Sequence, residues 1–161
     1  MAPMNTVEEF LAHAIRLESD AALRFGQLAD AMQSHGNVEV SRLFRRLSTY
    51  SQLHLKDARE RAGFRALPTL SEQDYTWPDV ESPESASIWA ADPFIGREQA
   101  LQVALEAESA GLAYYTQVLE SSSDPEIQAF AREFAQEEAE HVAELQRWIA
   151  LHVDGKPLPH E

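Results

Sequence analysis

Apolar residues recur at steps of three and four along four long segments of the chain. This spacing aligns side chains on one face of an α-helix. In the first two segments the aligned positions are Val7, Leu11, Ala14, Glu18, Ala21, Phe25, Leu28 and Met32, then Val40, Phe44, Leu47, Ser51, His54 and Ala58. In the last two they are Leu101, Leu105, Glu108, Leu112, Tyr115 and Leu119, then Ile127, Ala131, Phe134, Glu138, His141, Leu145 and Trp148. The pattern predicts four amphipathic helices and an all-α fold.

Residues typical of helix ends bound the first two segments. Thr6 and Glu9 have the spacing of a capping box, in which each side chain accepts a hydrogen bond from the other residue's backbone amide. Gly36 follows the first segment, Asn37 is the predicted N-cap of the second, and Gly63 is predicted to end it. Because the turn between these two helices is short, they should be antiparallel neighbours.

A proline-punctuated stretch from about residue 64 to 92 separates the second segment from the third. A connection this long is unusual unless it crosses from one end of a bundle to the other. Asp92-Pro93 and Asp124-Pro125 each place a capping residue before a proline, which predicts the starts of helices three and four. The expected fold is an antiparallel four-helix bundle with one long crossover between helices 2 and 3.

Length and charge narrow the class of protein. A chain of 161 residues is expected to form one domain over residues 1–161, with a loose C-terminal tail from about 154 to 161. The formal charge of −14 argues against a nucleic-acid partner, because phosphate contacts need clustered Lys and Arg. The N-terminus lacks the features of a signal peptide and the chain lacks a long apolar run, so we expect no membrane partner and a cytoplasmic location.

Ionisable side chains interrupt the apolar stripes near the middle of each helix. They are Glu18, His54, Glu108, and the pair Glu138 and His141, which are three residues apart. The midpoints of antiparallel helices of similar length share one layer, so these side chains should converge. Three carboxylates and two imidazoles in a dry layer destabilise one another unless cations neutralise them. Such donors, without thiolate, suit iron, manganese or zinc, and two metals bridged by a carboxylate fit the set.

This arrangement resembles the ferritin-like superfamily, and most of all its rubrerythrin-related branch. In that pattern two helices each contribute a Glu and the other two each contribute Glu-x-x-His. The resemblance covers all four helices and includes the long crossover. It implies that Glu18 and His54 hold one metal. By the same resemblance Glu108 and His141 hold the second metal and Glu138 bridges the two, with two iron ions as the expected cofactor and zinc or manganese as alternatives.

One position departs from the family pattern. Ser51 stands three residues before His54, where the family has its other bridging Glu. A hydroxyl carries no charge and is a poor ligand, so the expected consequences are a solvent bridge, weaker binding at one site, or a single metal. The chain also has no Cys, which excludes a rubredoxin-type iron centre within it. Reduction of the metals would therefore need an external electron donor.

Other polar residues near the stripes carry less weight. Glu137, Glu140 and Glu144 fall beside the stripe of the fourth helix and are predicted to face solvent. Tyr50 and Tyr115 are predicted to be core aromatics whose hydroxyls can hydrogen-bond a metal ligand.

Three functional hypotheses follow, and the sequence leaves them open. The first is an oxidoreductase, a rubrerythrin-like peroxidase or ferroxidase in which a reduced di-iron pair reacts with peroxide or dioxygen. The second is a bundle that binds or stores metal without turnover. The third is a member of the family whose polar layer is held by hydrogen bonds and water. We also expect a homodimer.

Overall fold

Four long α-helices make up the regular structure in the computed structural model, which describes residues 6–71, 75, 92 and 94–158. The helices are α1 (Val7–Ser34), α2 (Val38–Ala62), α3 (Arg97–Ser121) and α4 (Pro125–Val153). No strand occurs within the described ranges. The all-α prediction is therefore confirmed.

Side-chain caps begin two of the helices where the sequence predicts them. At the start of α1, the Glu9 amide donates a hydrogen bond of 3.1 Å to Thr6 Oγ1. At the start of α4, Asp124 Oδ1 accepts from the amides of Glu126, at 2.8 Å, and Ile127, at 3.3 Å. These bonds satisfy amides that have no partner within their own helix, which is why both starts are evident from sequence alone.

The third helix begins later than predicted, at Arg97 rather than directly after Asp92. The Asp92 side chain accepts a hydrogen bond from the Phe94 amide at 3.0 Å, and its carbonyl accepts from the Ile95 amide at 3.1 Å. Asp92 therefore stabilises a turn ahead of the helix, and a cap motif in the sequence does not distinguish these two uses. Pro93 lies outside the described residues.

Asn37 has the predicted N-cap position of α2, but its side chain makes no capping hydrogen bond. Its amide nitrogen donates instead to the Ile95 carbonyl at 2.8 Å. This bond joins the turn between α1 and α2 to the residues that lead into α3. The Asn37 side chain therefore bonds to a residue far away in sequence, and it does not cap α2 as the local sequence predicts.

Two apolar clusters fill the bundle and fix the direction of its helices. The first core cluster joins the C-terminal halves of α1 and α4 to the N-terminal halves of α2 and α3, with Phe25, Leu28, Met32, Phe44, Leu47, Leu101, Leu145 and Trp148 among its members. The second core cluster joins the opposite halves, with Phe10, Leu11, Leu17, Ala58, Tyr114, Tyr115, Val118, Ile127 and Phe134 among its members.

This division of the core means that α1 is antiparallel to α2, α3 is antiparallel to α4, and α2 runs in the same direction as α3. The chain must therefore cross the length of the bundle between α2 and α3, as the long connection predicts. Much of the predicted crossover from about residue 64 to 92 lies outside the described residues. The bundle is two antiparallel hairpins packed on one core.

The chain beyond α4 keeps contact with the bundle as far as it is described. Arg97 donates a hydrogen bond of 3.1 Å to the Lys156 carbonyl, and Leu158 packs against the first core cluster. Within the described residues, no helix combines the length and the apolar character that a membrane crossing requires.

Replacing Asp124 with Ala should lower the free energy of unfolding by about 1 kcal/mol, because two amides of α4 lose their acceptor. Urea unfolding followed by circular dichroism measures this change. Ser123→Ala is the matched control, because Ser123 is exposed in the same turn, and its effect should stay within about 0.5 kcal/mol. Equal effects of the two substitutions would contradict the role of the Asp124 cap.

Candidate metal centre

A layer of polar side chains separates the two core clusters at the middle of the bundle. Glu18 of α1, Glu108 of α3 and Glu138 of α4 are exposed by only 2%, 3% and 1%, and Ser51 of α2 is equally buried. Each occupies the interior stripe of its helix, so the helical period that builds the core also brings these groups into it. Carboxylates this deeply buried need compensating positive charge or hydrogen bonds.

The imidazole of His54 meets carboxylates from two other helices. Its Nδ1 lies 3.1 Å from Glu138 Oε1 and 3.5 Å from Glu18 Oε1. Carboxylates from α1 and α4 therefore converge on one ring nitrogen of this α2 histidine. The His54 side chain is 14% exposed, so one edge of the ring remains accessible to solvent.

His141 approaches the same place from α4. Its Nδ1 lies 3.7 Å from Glu108 Oε2, and its ring stacks on that of His54 with centroids 4.9 Å apart and planes 9° apart. Nitrogen atoms of His54 and His141 and an oxygen of Glu138 all lie within 4.8 Å of one another. The structure thus brings all five side chains predicted from the sequence into one layer, and their role as ligands stays a prediction.

The donor set fits a metal ion. It consists of carboxylate oxygens and imidazole nitrogens, the donors that iron, manganese and zinc bind in proteins. Among the described residues, the buried Glu18 Oε2 and His141 Nδ1 have no hydrogen-bond partner. Buried polar atoms without partners destabilise a fold, and bound metal ions would supply the missing partners. The donor types in the layer and its unpartnered buried atoms therefore both favour a bound cation.

Tyr115 supports Glu18 from the second core cluster. Its hydroxyl donates a hydrogen bond of 3.1 Å to Glu18 Oε1, and its ring packs against Phe10 and Phe134 at centroid distances of 6.2 and 5.4 Å. The ring is thus fixed by apolar contacts while its hydroxyl orients a carboxylate of the polar layer. The sequence predicts both features of this residue.

Tyr50 lies against the face of the His141 ring, with centroids 4.5 Å apart and planes 13° apart. Its hydroxyl accepts a hydrogen bond from Arg46 Nε at 2.8 Å and donates to Glu144 Oε1 at 3.0 Å. Burial raises the pKa of the Tyr50 phenol above its ordinary value, which keeps it protonated as a donor. The Arg46 guanidinium also stacks over Trp148, at 4.7 Å from the ring centroid. Glu144, predicted to face solvent, is instead half-buried within this network.

A pocket of about 300 Å³ opens between α2 and α4 onto the edges of the two histidines, and it is lined by Tyr50, Leu53, His54, Asp57, Glu137, Glu140 and His141. Glu137 is half-buried there, with its Oε2 3.5 Å from His54 Nε2. Burial raises the pKa of Glu137, and the nearby His54 partly offsets this effect. Glu137 is therefore partly exposed, at 34%, and it contacts His54 as well as solvent.

Three acidic side chains, Asp57, Glu133 and Glu137, form a second group beside this pocket. Arg61 Nε lies 3.5 Å from Asp57 Oδ1, and the same guanidinium also contacts Glu133. This group is thus partly neutralised by a cation of the chain itself. Its partial exposure and its ion pairs are those of a surface cluster.

The bundle, its crossover and its central carboxylate–histidine layer define a ferritin-like protein. A family model described as Rubrerythrin matches residues 9–87. The chain is also similar to an uncharacterized conserved protein from Magnetospirillum magnetotacticum MS-1, whose crystal structure is known. The two sequences are 35% identical, and the match covers 98% of this chain and 99% of that chain. The two structures superpose with a TM-score of 0.71. No curated protein matches the chain.

The chain belongs to the rubrerythrin-related branch of the ferritin-like superfamily. Members of this family generally bind metal, and the polar layer offers candidate carboxylate and histidine ligands. The chain is accordingly a ferritin-like metal-binding protein.

Replacing Tyr115 with Phe should lower the free energy of unfolding of the metal-free protein by about 2 kcal/mol, because a buried carboxylate loses a hydrogen bond. The phenyl ring keeps the contacts with Phe10 and Phe134, so the variant isolates the hydroxyl. Urea unfolding in the presence of a chelator measures the difference. An unchanged free energy of unfolding would show that this bond does not stabilise Glu18.

Proposed function

We propose that this protein is a di-iron-type oxidoreductase that reacts with peroxide or dioxygen, with Ser51 in place of one bridging carboxylate. The observation that carries the proposal is the convergence of five ligand-type side chains from four helices between two apolar clusters. Glu18 and His54 would hold one ion. Glu108 and His141 would hold the other, and Glu138 would lie between the two.

The residues around the layer suit this role. The two core clusters exclude water from the carboxylates, while the pocket between α2 and α4 leaves the histidine edges accessible to a small oxidant. Tyr115 orients Glu18, and Tyr50 holds the ring of His141 by stacking. When bound, iron supplies the electrons and the Lewis acidity for the reaction. Because the chain has no Cys, a separate donor must return the electrons.

A second candidate function is metal binding or storage without turnover. The feature that favours it is Ser51, which is buried in the layer and brings no charge to it. One carboxylate fewer weakens the charge balance for a second divalent ion. Anaerobic loading with Fe(II), followed by addition of hydrogen peroxide or dioxygen, separates the two candidates. Stoichiometric oxidation with repeated turnover on re-reduction supports the enzyme, and bound iron that does not turn over supports storage.

The same donors also accept zinc or manganese, so the metal should be identified in protein purified without chelator, by elemental analysis and an anomalous scattering map. A cytoplasmic location and a homodimer remain predictions. Size-exclusion chromatography with light scattering tests the dimer.

Replacing His141 with Ala should lower the number of metal ions bound per chain, because one proposed site loses its nitrogen ligand. Native mass spectrometry and a calorimetric titration with Fe(II) or Zn(II) measure stoichiometry and affinity. His152→Ala on the same helix, outside the polar layer, is the control and should leave both unchanged. If His141→Ala bound metal as the native chain does, the proposed ligand set would be wrong.

Replacing Ser51 with Glu should restore a bridging carboxylate and raise both the metal content and the rate of iron oxidation. The native chain should bind its second divalent ion weakly, because the layer lacks one negative charge. The substitution adds about three heavy atoms to a buried site, which costs about 1–3 kcal/mol of stability where the core does not relax. Circular dichroism must therefore confirm that the variant is folded.

Thr49→Glu is the matched control for charge, because Thr49 is exposed on the same helix. It should change neither the metal content nor the oxidation rate. Full occupancy of the native chain by two ions would refute the predicted weak binding of the second ion. It would mean that another group takes the place of the missing bridge.

A further inference from the structure

Ser51 of the first hairpin has the position that Glu138 has in the second. Both residues precede a histidine by three positions, and both are buried, with exposures of 3% and 1%. A serine side chain is about three heavy atoms shorter than that of glutamate, and it ends in a hydroxyl that can donate a hydrogen bond. One hairpin therefore gives the layer a carboxylate at this position, and the other gives it a short, neutral donor.

This difference leaves the charge of a fully loaded layer unbalanced. The buried carboxylates of Glu18, Glu108 and Glu138 bring three negative charges. His54 and His141 would bind metal as neutral imidazoles. Two divalent ions bring four positive charges, so one positive charge remains between the two apolar clusters. A charge without a counter-ion is strongly unfavourable there, and one monoanion would balance it.

The pocket between α2 and α4 gives a small ligand access to the histidine edges, but its lining is acidic. Asp57, Glu137 and Glu140 all line it, so they repel an anion from the metal-free site. Glu137 is 34% exposed, so solvent screens its charge and it does not replace a counter-ion within the layer. Anion binding should therefore require bound metal. The metal should gain affinity in return, because the coupling between two ligands is reciprocal.

We propose that a small monoanion with two oxygen atoms on one carbon, such as formate, acetate or bicarbonate, binds beside Ser51 when the layer is loaded with metal. It takes the place of the missing bridging carboxylate, and the Ser51 hydroxyl donates a hydrogen bond to it. A hydroxide ion carries the same charge, but it has a single heavy atom and fills less of the space that the shorter side chain leaves. The inference rests on the proposed metal site.

The first test is the affinity of the native chain for its second zinc ion, measured by competition with a chromophoric chelator. Titrations in formate are compared with titrations in perchlorate of equal ionic strength, because perchlorate is a poor ligand. Formate should raise the affinity about 5- to 150-fold, the usual range of coupling between two ligands. Titrations in acetate and in bicarbonate show which member of the class binds best.

Substitutions at Ser51 locate the anion. Ser51→Glu should bind the second zinc ion equally well with and without formate, because its own carboxylate takes the place of the anion. Ser51→Asp is a smaller change that should reduce the formate effect if the glutamate variant does not fold. Ser51→Ala loses only the hydrogen bond and should keep a smaller formate effect. Thr49→Glu is the matched control, because it adds the same charge at an exposed position of α2 and should keep the full effect.

The second test detects the anion directly by nuclear magnetic resonance of ¹³C-labelled formate. The zinc-loaded native chain should broaden the formate signal. The metal-free native chain and the zinc-loaded Ser51→Glu variant should leave it unchanged. This comparison needs no change in affinity and includes the native chain in both states.

Equal affinity of the native chain for its second zinc ion in all four salts would overturn the inference. An equal formate effect in the native chain and in Ser51→Glu would also overturn it, because the anion would then bind elsewhere. Zinc binding without an anion effect leaves the proposed function standing, whereas a chain that bound no metal would overturn both. A formate effect at Ser51 in a chain that never turns over with peroxide or dioxygen supports the inference and contradicts the proposed oxidoreductase.

Discussion

Burying three carboxylates inside a helical bundle is the constraint on which the rest of the structure depends. Glu18, Glu108 and Glu138 are almost inaccessible to solvent, and their mutual repulsion must be balanced within the layer. Two imidazoles and a phenol hydroxyl supply part of that balance through contacts of 3.1 to 3.7 Å. A bound cation would supply the remainder. The bundle is thus stabilised at both ends by apolar packing, and its middle is built to take positive charge.

The long crossover allows side chains from all four helices to meet in this layer. Two antiparallel hairpins place the N-terminal half of one helix beside the C-terminal half of the next, so that their midpoints coincide. The crossover sets α2 and α3 in the same direction, which brings both hairpins into one core. Each hairpin supplies a carboxylate from its first helix, Glu18 or Glu108, and a histidine from its second, His54 or His141. Ser51 breaks this near-symmetry, because only α4 adds a carboxylate three residues before its histidine.

The two histidines have different surroundings, although they stack on each other. His54 lies between carboxylates on both of its nitrogens, whereas His141 lies between the rings of Tyr50 and His54. Carboxylates approach both nitrogens of the His54 ring, whereas His141 combines one carboxylate contact, with Glu108, and stacking on two rings. The two hairpins therefore surround their histidines differently. Ser51 is a second difference between them, because it stands where the other hairpin has Glu138.

The sequence by itself determined the features that act within one helix. The helical period, the Glu-x-x-His spacing and the caps at Thr6 and Asp124 involve residues two to four positions apart, whose geometry the helix alone sets. Only the tertiary structure decided contacts between elements. Glu137 lies beside the apolar stripe of α4, and whether that flank meets solvent or His54 depends on where α2 packs. Asn37 likewise bonds to Ile95, because the residues before α3 come close to the first turn only after the chain has crossed the bundle.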